Sequence, residues 1–271
     1  MNRLSGLVCL VTGSTGIAAA SAELFAEEGA AVFVASRDEA HCRDLAERIK
    51  ATGGRVEYRR ADLADEHEVE AAVQACVDAF GRIDGLFSVA GGSGRRFGDG
   101  PIDQVDAEAW EKTLALNLRT QALVCGSVVR RMRAQPPSDS GTRGSILLMG
   151  SVTATDPVPE LFGTHAYAAA KGAIASLATA MAATYIGDRI RVNAVAPSLT
   201  ATPMAARAAA DERILAFAAR KQPLAGPMLD GREVANAAVY FLSHESRAVT
   251  GQLLKIDGGW SVVSVGPEPA Q

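Results

Sequence analysis

Leu7-Val8-Cys9-Leu10-Val11-Thr12-Gly13-Ser14-Thr15-Gly16-Ile17-Ala18 is the stretch on which the fold turns. Residues 7–11 form a continuous apolar run, as expected of a strand buried on both faces. From Ile17, apolar residues recur at helical spacing to about residue 28. Gly13 and Gly16 therefore sit where a strand hands over to a helix. Glycines there let backbone approach a pyrophosphate, and the helix N-terminus offers free N–H donors and a favourable dipole. The same residues would also serve a plain tight turn. The run is too short for a signal peptide and breaks at Thr12-Gly13 with no small-residue cleavage site in place, so a buried first strand explains it better.

Working outward, further apolar or near-apolar runs occupy 31–35, 56–59, 85–89, 146–149, 191–195 and 253–256. Segments of helical period separate them, at about 17–28, 39–51, 66–79, 107–133, 165–186 and 232–242. Gly29, the pair Gly53 and Gly54, and Gly81 stand where the first three helices should stop. Strand–helix alternation with short connections implies parallel pairing, because parallel neighbours need a crossover. The expected fold class is α/β: a Rossmann-like doubly wound parallel sheet of about seven strands flanked by helices, in one domain over residues 1–271. The Pro-, Ser- and Gly-rich residues 135–144 read as a surface loop rather than a linker. Residues 199–223, an Ala-rich helix flanked by prolines, look like a substrate lid. The tail, about 265–271, is expected to fray or pack on a neighbouring subunit.

Composition narrows the function classes. At 271 residues and 48% hydrophobic content, with no long single-sign run, most of the chain should fold rather than stay disordered. Lys+Arg 27 against Asp+Glu 31 argues against work through phosphate-backbone neutralisation, so no nucleic-acid partner is expected. No run approaches the ~18 apolar residues of a membrane span. Cys9, Cys42, Cys76 and Cys125 lack C-x-x-C spacing, and His41, His67, His165 and His244 lack H-x-x-x-H spacing. No disulfide framework or metal site is expected, and reduced thiols in a cytoplasmic protein are the simplest reading.

Tyr167-Ala168-Ala169-Ala170-Lys171 carries the sharper chemistry. On a helix, side chains at i and i+4 share a face, so the Lys171 ammonium can sit near the Tyr167 phenol. A nearby cation stabilises phenolate and lowers a pKa that is otherwise ~10, which makes a tyrosine usable as an acid/base. An isolated Y-x-x-x-K is more often a surface Tyr and a solvated Lys. Here it follows a strand ending in Met149-Gly150-Ser151, which puts a hydroxyl at the ligand-binding edge of an open α/β sheet.

In this order of motifs the chain resembles the short-chain dehydrogenase/reductase family, in its short single-domain, 3-oxoacyl-carrier-protein-reductase-like members, over essentially residues 5–260. The markers are the Gly-rich turn, Ala61-Asp62-Leu63, Ser88-Val89-Ala90-Gly91, Leu116-Asn117-Leu118, Ser151, Tyr167 with Lys171, Pro197-Ser198 and Asp257-Gly258-Gly259. The resemblance implies a nicotinamide-dependent oxidoreductase acting on a small carbonyl/alcohol pair. Tyr167 would exchange a proton with the substrate oxygen, Ser151 would hydrogen-bond that oxygen, Lys171 would lower the Tyr167 pKa and hold the nicotinamide ribose, and Asn117 would anchor a water in a proton relay. By the same likeness the cofactor would meet Gly13, Ser14, Thr15, Gly16 and Ile17 at the pyrophosphate, and Asp62 and Leu63 at the adenine. Ala90, Gly91, Tyr167, Lys171, Pro197, Thr200 and Thr202 would line its remaining length. Homodimers or homotetramers built on the helices at 107–133 and 165–186 are also implied.

The chain departs from the family pattern at three places. The Gly-rich turn is one residue shorter than T-G-x-x-x-G-x-G and ends in Ala18, Ser88 stands where Asn is common, and Ser198 replaces a usual Gly. Cofactor choice falls to Ser36 and Arg37 at the end of the second strand. A hydroxyl and a guanidinium suit a 2′-phosphate, which favours NADP. The alternative is NAD, with Asp38 taking the ribose. Arg95 and Arg96 read as surface or interface charges, with reception of an acidic substrate as the other option. The rival functions are a non-catalytic dinucleotide-binding sensor or partner subunit and an NAD-linked alcohol dehydrogenase.

Overall fold

Every apolar run becomes a strand of one parallel sheet: β1 (Val8–Thr12), β2 (Ala31–Ser36), β3 (Arg55–Arg60), β4 (Gly85–Ser88), β5 (Gly144–Met149), β6 (Ile190–Pro197) and β7 (Leu253–Ile256). The computed structural model describes residues 2–138 and 140–265, so Asp139 and residues 266–271 of the expected tail lie outside the described residues. The strand order is β3-β2-β1-β4-β5-β6-β7, all parallel. The order reverses between β1 and β4, and that is where open α/β sheets bind ligands.

The helices are α1 (Ile17–Glu27), α2 (Glu39–Ala51), α3 (Glu66–Phe80), α4 (Ala107–Leu114), α5 (Thr120–Ala134), α6 (Pro159–Phe162), α7 (His165–Tyr185), α8 (Ala206–Ala209), α9 (Glu212–Lys221) and α10 (Gly231–Leu242). One core layer packs α1, α2 and α10 on one face of the sheet, through residues such as Phe25, Leu45 and Val239. The other packs α3, α5 and α7 on the opposite face, through Val73, Val128 and Ile174. Burial on both faces explains why the central strands read as apolar or near-apolar runs, with the buried polar residues of β6, Arg191 and Asn193, bonded to backbone carbonyls.

Three expectations change. The strands were all expected to be buried on both faces, but β3 is largely exposed apart from Val56, and in β7 Leu253 and Leu254 are 36% and 42% exposed. These are the sheet edges, which lack a second neighbour. The helix expected over 107–133 is interrupted. Residues Ala115–Arg119 form a π turn, in which the Thr120 N–H reaches back five residues to Ala115 O. Finally, the segment expected as a lid is not one helix. It holds a 3₁₀ turn at Pro203–Ala205, then α8 and α9, and is tied back to the sheet side by a bridge between Thr200 and Leu229.

Candidate active site

A cavity of about 920 Å³ opens along the C-terminal ends of the strands. At one end of it, the Gly-rich turn leaves β1 with Gly13 at φ 96° and Gly16 at φ 55°, conformations that side-chain-bearing residues rarely adopt. A Cβ on Gly16 would lie 2.8 Å from Thr202 Cγ2, so the turn and the segment after β6 approach too closely for a side chain on Gly16. Gly16 provides no side-chain cap for α1. Thr12 ties this turn to the neighbouring strand end: its buried Oγ1 accepts the Val89 and Ala90 N–H groups at 2.9 and 3.0 Å.

The reactive end is built around one backbone unit, Met149 at the end of β5. Gln121, fully buried on α5, clamps it with two bonds of 3.1 Å, Nε2 donating to Met149 O and Oε1 accepting the Met149 N–H. Lys171, 3% exposed on α7, donates from Nζ to the same carbonyl at 2.8 Å. Its Nζ stands 5.5 Å from the centre of the Tyr167 ring, as the i,i+4 spacing requires. Ser151 leaves the strand end, with Oγ 2.9 Å from Thr153 Oγ1 and also engaged with the Tyr167 phenol. Burial pushes the Tyr167 phenol up to about 12, and the Ser151 hydrogen bond opposes that rise. Burial also brings Lys171 down to about 7. Desolvation is therefore the larger influence on the phenol, with the Ser151 hydrogen bond opposing it.

Asp99 fixes the entry to α7. Thr164, the residue before the helix, makes no side-chain cap. Instead the buried Asp99 carboxylate accepts the Ala166 N–H at 3.0 Å and the Tyr167 N–H at 2.9 Å, from 67 and 68 residues away. This satisfies two of the free donors of a helix start and sets where Tyr167 begins.

All the other residues expected at the site line the cavity: Gly13, Ser14, Thr15, Gly16, Ile17, Ser36, Arg37, Asp62, Leu63, Ala90, Gly91, Ser151, Tyr167, Lys171, Pro197, Thr200 and Thr202. Asn117 is the exception. It is fully buried in the π turn, where Oδ1 accepts the Gly92 N–H and Nδ2 donates to Gly92 O and Thr113 O. Both amide hydrogens and one lone pair of the oxygen serve protein groups, so the side chain positions the strand-end loop.

The sequence profile described as enoyl-(acyl carrier protein) reductase matches residues 11–261. Short-chain dehydrogenase reductase 5 of Arabidopsis thaliana is 35% identical, over 97% of this chain and 97% of that protein. The chain belongs to the short-chain dehydrogenase/reductase family. A cis-4-hydroxycyclohexanecarboxylate dehydrogenase of Sinomonas cyclohexanicum is 34% identical, over 94% of this chain and 97% of that protein. The solved short-chain type dehydrogenase/reductase of Mycobacterium ulcerans superposes with a TM-score of 0.85 at 30% identity, covering 95% of this chain and 90% of that one.

Short-chain dehydrogenases/reductases use nicotinamide dinucleotides, and the residues present fit such a cofactor. The glycine cradle leaves backbone bare, a Cβ on Gly91 would lie 2.7 Å from Asn117 Oδ1, and the buried Ser198 Oγ lining the cavity has no hydrogen-bond partner among the described residues. At the adenosine edge, Ser14 Oγ donates to Ser36 Oγ at 3.0 Å, and Arg37 is exposed on the rim. Asp38 is engaged elsewhere: its carboxylate accepts the His41 N–H at 2.9 Å as the N-cap of α2. Sequence reasoning missed Asp99, Gln121 and Trp260 as site-building residues. Asp99 and Gln121 act on backbone far away in the chain, and Trp260 is distinguished only by its burial, at 1% exposed, against the cavity wall. Only the three-residue offset between Asp38 and His41 follows a local rule that could have been read.

Proposed function

We propose that this short-chain dehydrogenase/reductase catalyses reversible hydride transfer between NADP(H) and a secondary alcohol/ketone pair. The meeting of Tyr167, Ser151 and Lys171 at the Met149 strand end carries this reading. The bound nicotinamide would supply the hydride acceptor or donor. Ser151 Oγ would donate a hydrogen bond to the substrate oxygen, and Tyr167 Oη would take the hydroxyl proton in oxidation or return it in reduction. With its phenol pushed up to about 12, Tyr167 is a proton donor at neutral pH. Reduction should therefore hold its rate from about pH 6 to 8, whereas oxidation should climb with pH as phenolate forms.

NADP is favoured over NAD because the Asp38 carboxylate caps α2, which leaves Ser36 and Arg37 at the ribose position. The name of the Sinomonas cyclohexanicum relative supports a ring alcohol as the first substrate class to try. The test is a panel of cyclic and open-chain alcohols and ketones with both cofactors, followed by nicotinamide absorbance. Turnover with NADP(H) at lower KM than with NAD(H) is the expected result. Tight cofactor binding without turnover anywhere in the panel would instead make the chain a dinucleotide sensor. We propose, too, that two-fold assembly buries the outer faces of α5 and α7. Sedimentation showing only monomer at micromolar concentration would refute it.

A further inference from the structure

Beyond Tyr167 the cavity becomes apolar. Val152, Phe162, Leu199 and Trp260 form a small cluster of their own, with the Phe162 and Trp260 rings 5.9 Å apart. Four cations stand around this half: Arg95, Arg96, Lys112 and Arg207. Two of them have local partners. Lys112 pairs with Glu108 one turn away, and the Arg96 guanidinium lies 4.6 Å over the Phe97 ring.

The other two converge. Arg95 is on the 3₁₀ turn Gly94–Phe97 after β4, and Arg207 is on α8, within the segment after β6. Each donates from Nη2 to the same carbonyl oxygen, that of Leu161 on α6, at 3.4 and 3.0 Å. Sharing one acceptor brings two like charges together, and their repulsion adds to burial in holding the Arg95 guanidinium below its usual basicity. Among the described residues neither has a carboxylate within ion-pair distance. The acid whose charge reaches Arg95 is Asp99, and both its oxygens are taken by the start of α7. Two guanidiniums from separate segments thus meet beside an apolar wall, with one neutral acceptor, the Leu161 carbonyl, between them.

We propose that Arg95 and Arg207 form an anion subsite, and that the substrate is an alcohol or ketone with an apolar body and a carboxylate remote from the reacting carbon. The inference rests on the oxidoreductase reading for the reacting end. Tyr167 and Ser151 would hold the hydroxyl or carbonyl oxygen, the Phe162–Trp260 wall would cover the body, and the two forks would take the carboxylate by charge-assisted bonds. Because the arginines come from separate segments, one anion would also tie α8 to the loop after β4.

The test separates binding from turnover. NADP⁺-saturated protein is titrated calorimetrically with cyclohexanecarboxylate and with cyclohexanecarboxamide, in wild type, Arg95→Ala, Arg207→Ala and the double variant. Wild type should prefer the carboxylate, each single variant should lower the carboxylate-to-amide affinity ratio about tenfold, and the double variant should bring it near one. Far-ultraviolet melts check that all variants fold, as surface arginines should allow. A parallel assay compares kcat/KM for cis-4-hydroxycyclohexanecarboxylate and its methyl ester, whose ratio should fall with the same variants. Equal affinity of wild type for carboxylate and amide overturns the proposal, as does a ratio unmoved in the double variant. Displacement of the carboxylate by inorganic phosphate at equal concentration overturns the choice of a carboxylate. A collapsing affinity ratio with no turnover of any alcohol upholds the subsite and refutes the oxidoreductase reading.

Discussion

The two halves of the cavity are made of different material. The half we assign to the cofactor is backbone and short hydroxyls: Gly13, Gly16 and Gly91, with Ser14 and Ser36, braced from beneath by Thr12. The half we assign to the substrate is side chains carried largely by short helices, with Phe162 on α6, Arg207 on α8 and Trp260 beyond β7. The first kind depends on strand order and glycine placement, which few substitutions can leave intact. The second depends on which residues happen to cap, cover or charge a few turns, and it can be rebuilt without disturbing the sheet. One scaffold can thus keep its cofactor while its substrate changes.

The sharpest cut between the halves falls at Tyr167. Tyr167→Phe should lower turnover by ~10²–10⁴, the usual loss for an acid/base, while cofactor affinity measured by fluorescence titration stays near wild type. Retained turnover would remove Tyr167 from the chemistry. The cofactor half is tested next by Arg37→Ala. Losing a charge-assisted contact should weaken NADP about 10- to 150-fold and leave NAD nearly unchanged, and Ser36→Asp should invert the preference by repelling the phosphate. Equal weakening of both cofactors would show that Arg37 does not read the phosphate.

Asp99→Asn probes the join itself. The amide would present an N–H₂ group toward one of two backbone N–H groups, leaving a buried donor unpaired at a cost of about 1–3 kcal/mol. The melting temperature should drop by several degrees, and kcat should fall more than the KM for the cofactor. A lower melting point with kcat untouched would make Asp99 a structural cap alone. The last test, Lys171→Met, reads stability rather than turnover. The folded pKa of Lys171, about 7, lies below its ordinary 10.5, so the fold binds this proton more weakly than the unfolded chain does. Wild type accordingly loses stability as pH falls from about 10.5 to about 7 and loses no more below that. The methionine variant, though inactive, should gain in melting temperature relative to wild type as pH falls through that window. A pH-independent difference would mean that the ammonium is not desolvated.

This division also explains what the sequence made legible. Unbroken runs such as that from Leu7 to Val11 located the central strands, because burial on both faces leaves no polar position. The i,i+4 pair Tyr167 and Lys171 was legible because a helix fixes that spacing. The π turn was not, since the Asn117 amide that sits in it bonds to Gly92, 25 residues back in the loop after β4. Asp99 as the cap of α7 was equally hidden, because no local pattern joins a loop residue to a helix start 67 residues on. Edge exposure of β3 and β7 depends on strand order, which alternation alone leaves open. The Arg95–Arg207 pair needs both short turns in place before either residue differs from a solvated surface charge.

The π turn at Ala115–Arg119 has a consequence for how this chain can vary in length. A π turn closes on an i→i+5 bond, so it takes up one residue more than an α turn and leaves the helices on either side close to their α-helical phase. Deleting a single residue between 115 and 119 would therefore let the turn rewind as α-helix with α4 and α5 still in phase. What the deletion would remove is the wide turn from which the Asn117 amide reaches Gly92. The length of this turn, more than its letters, thus decides whether the loop after β4 keeps its anchor.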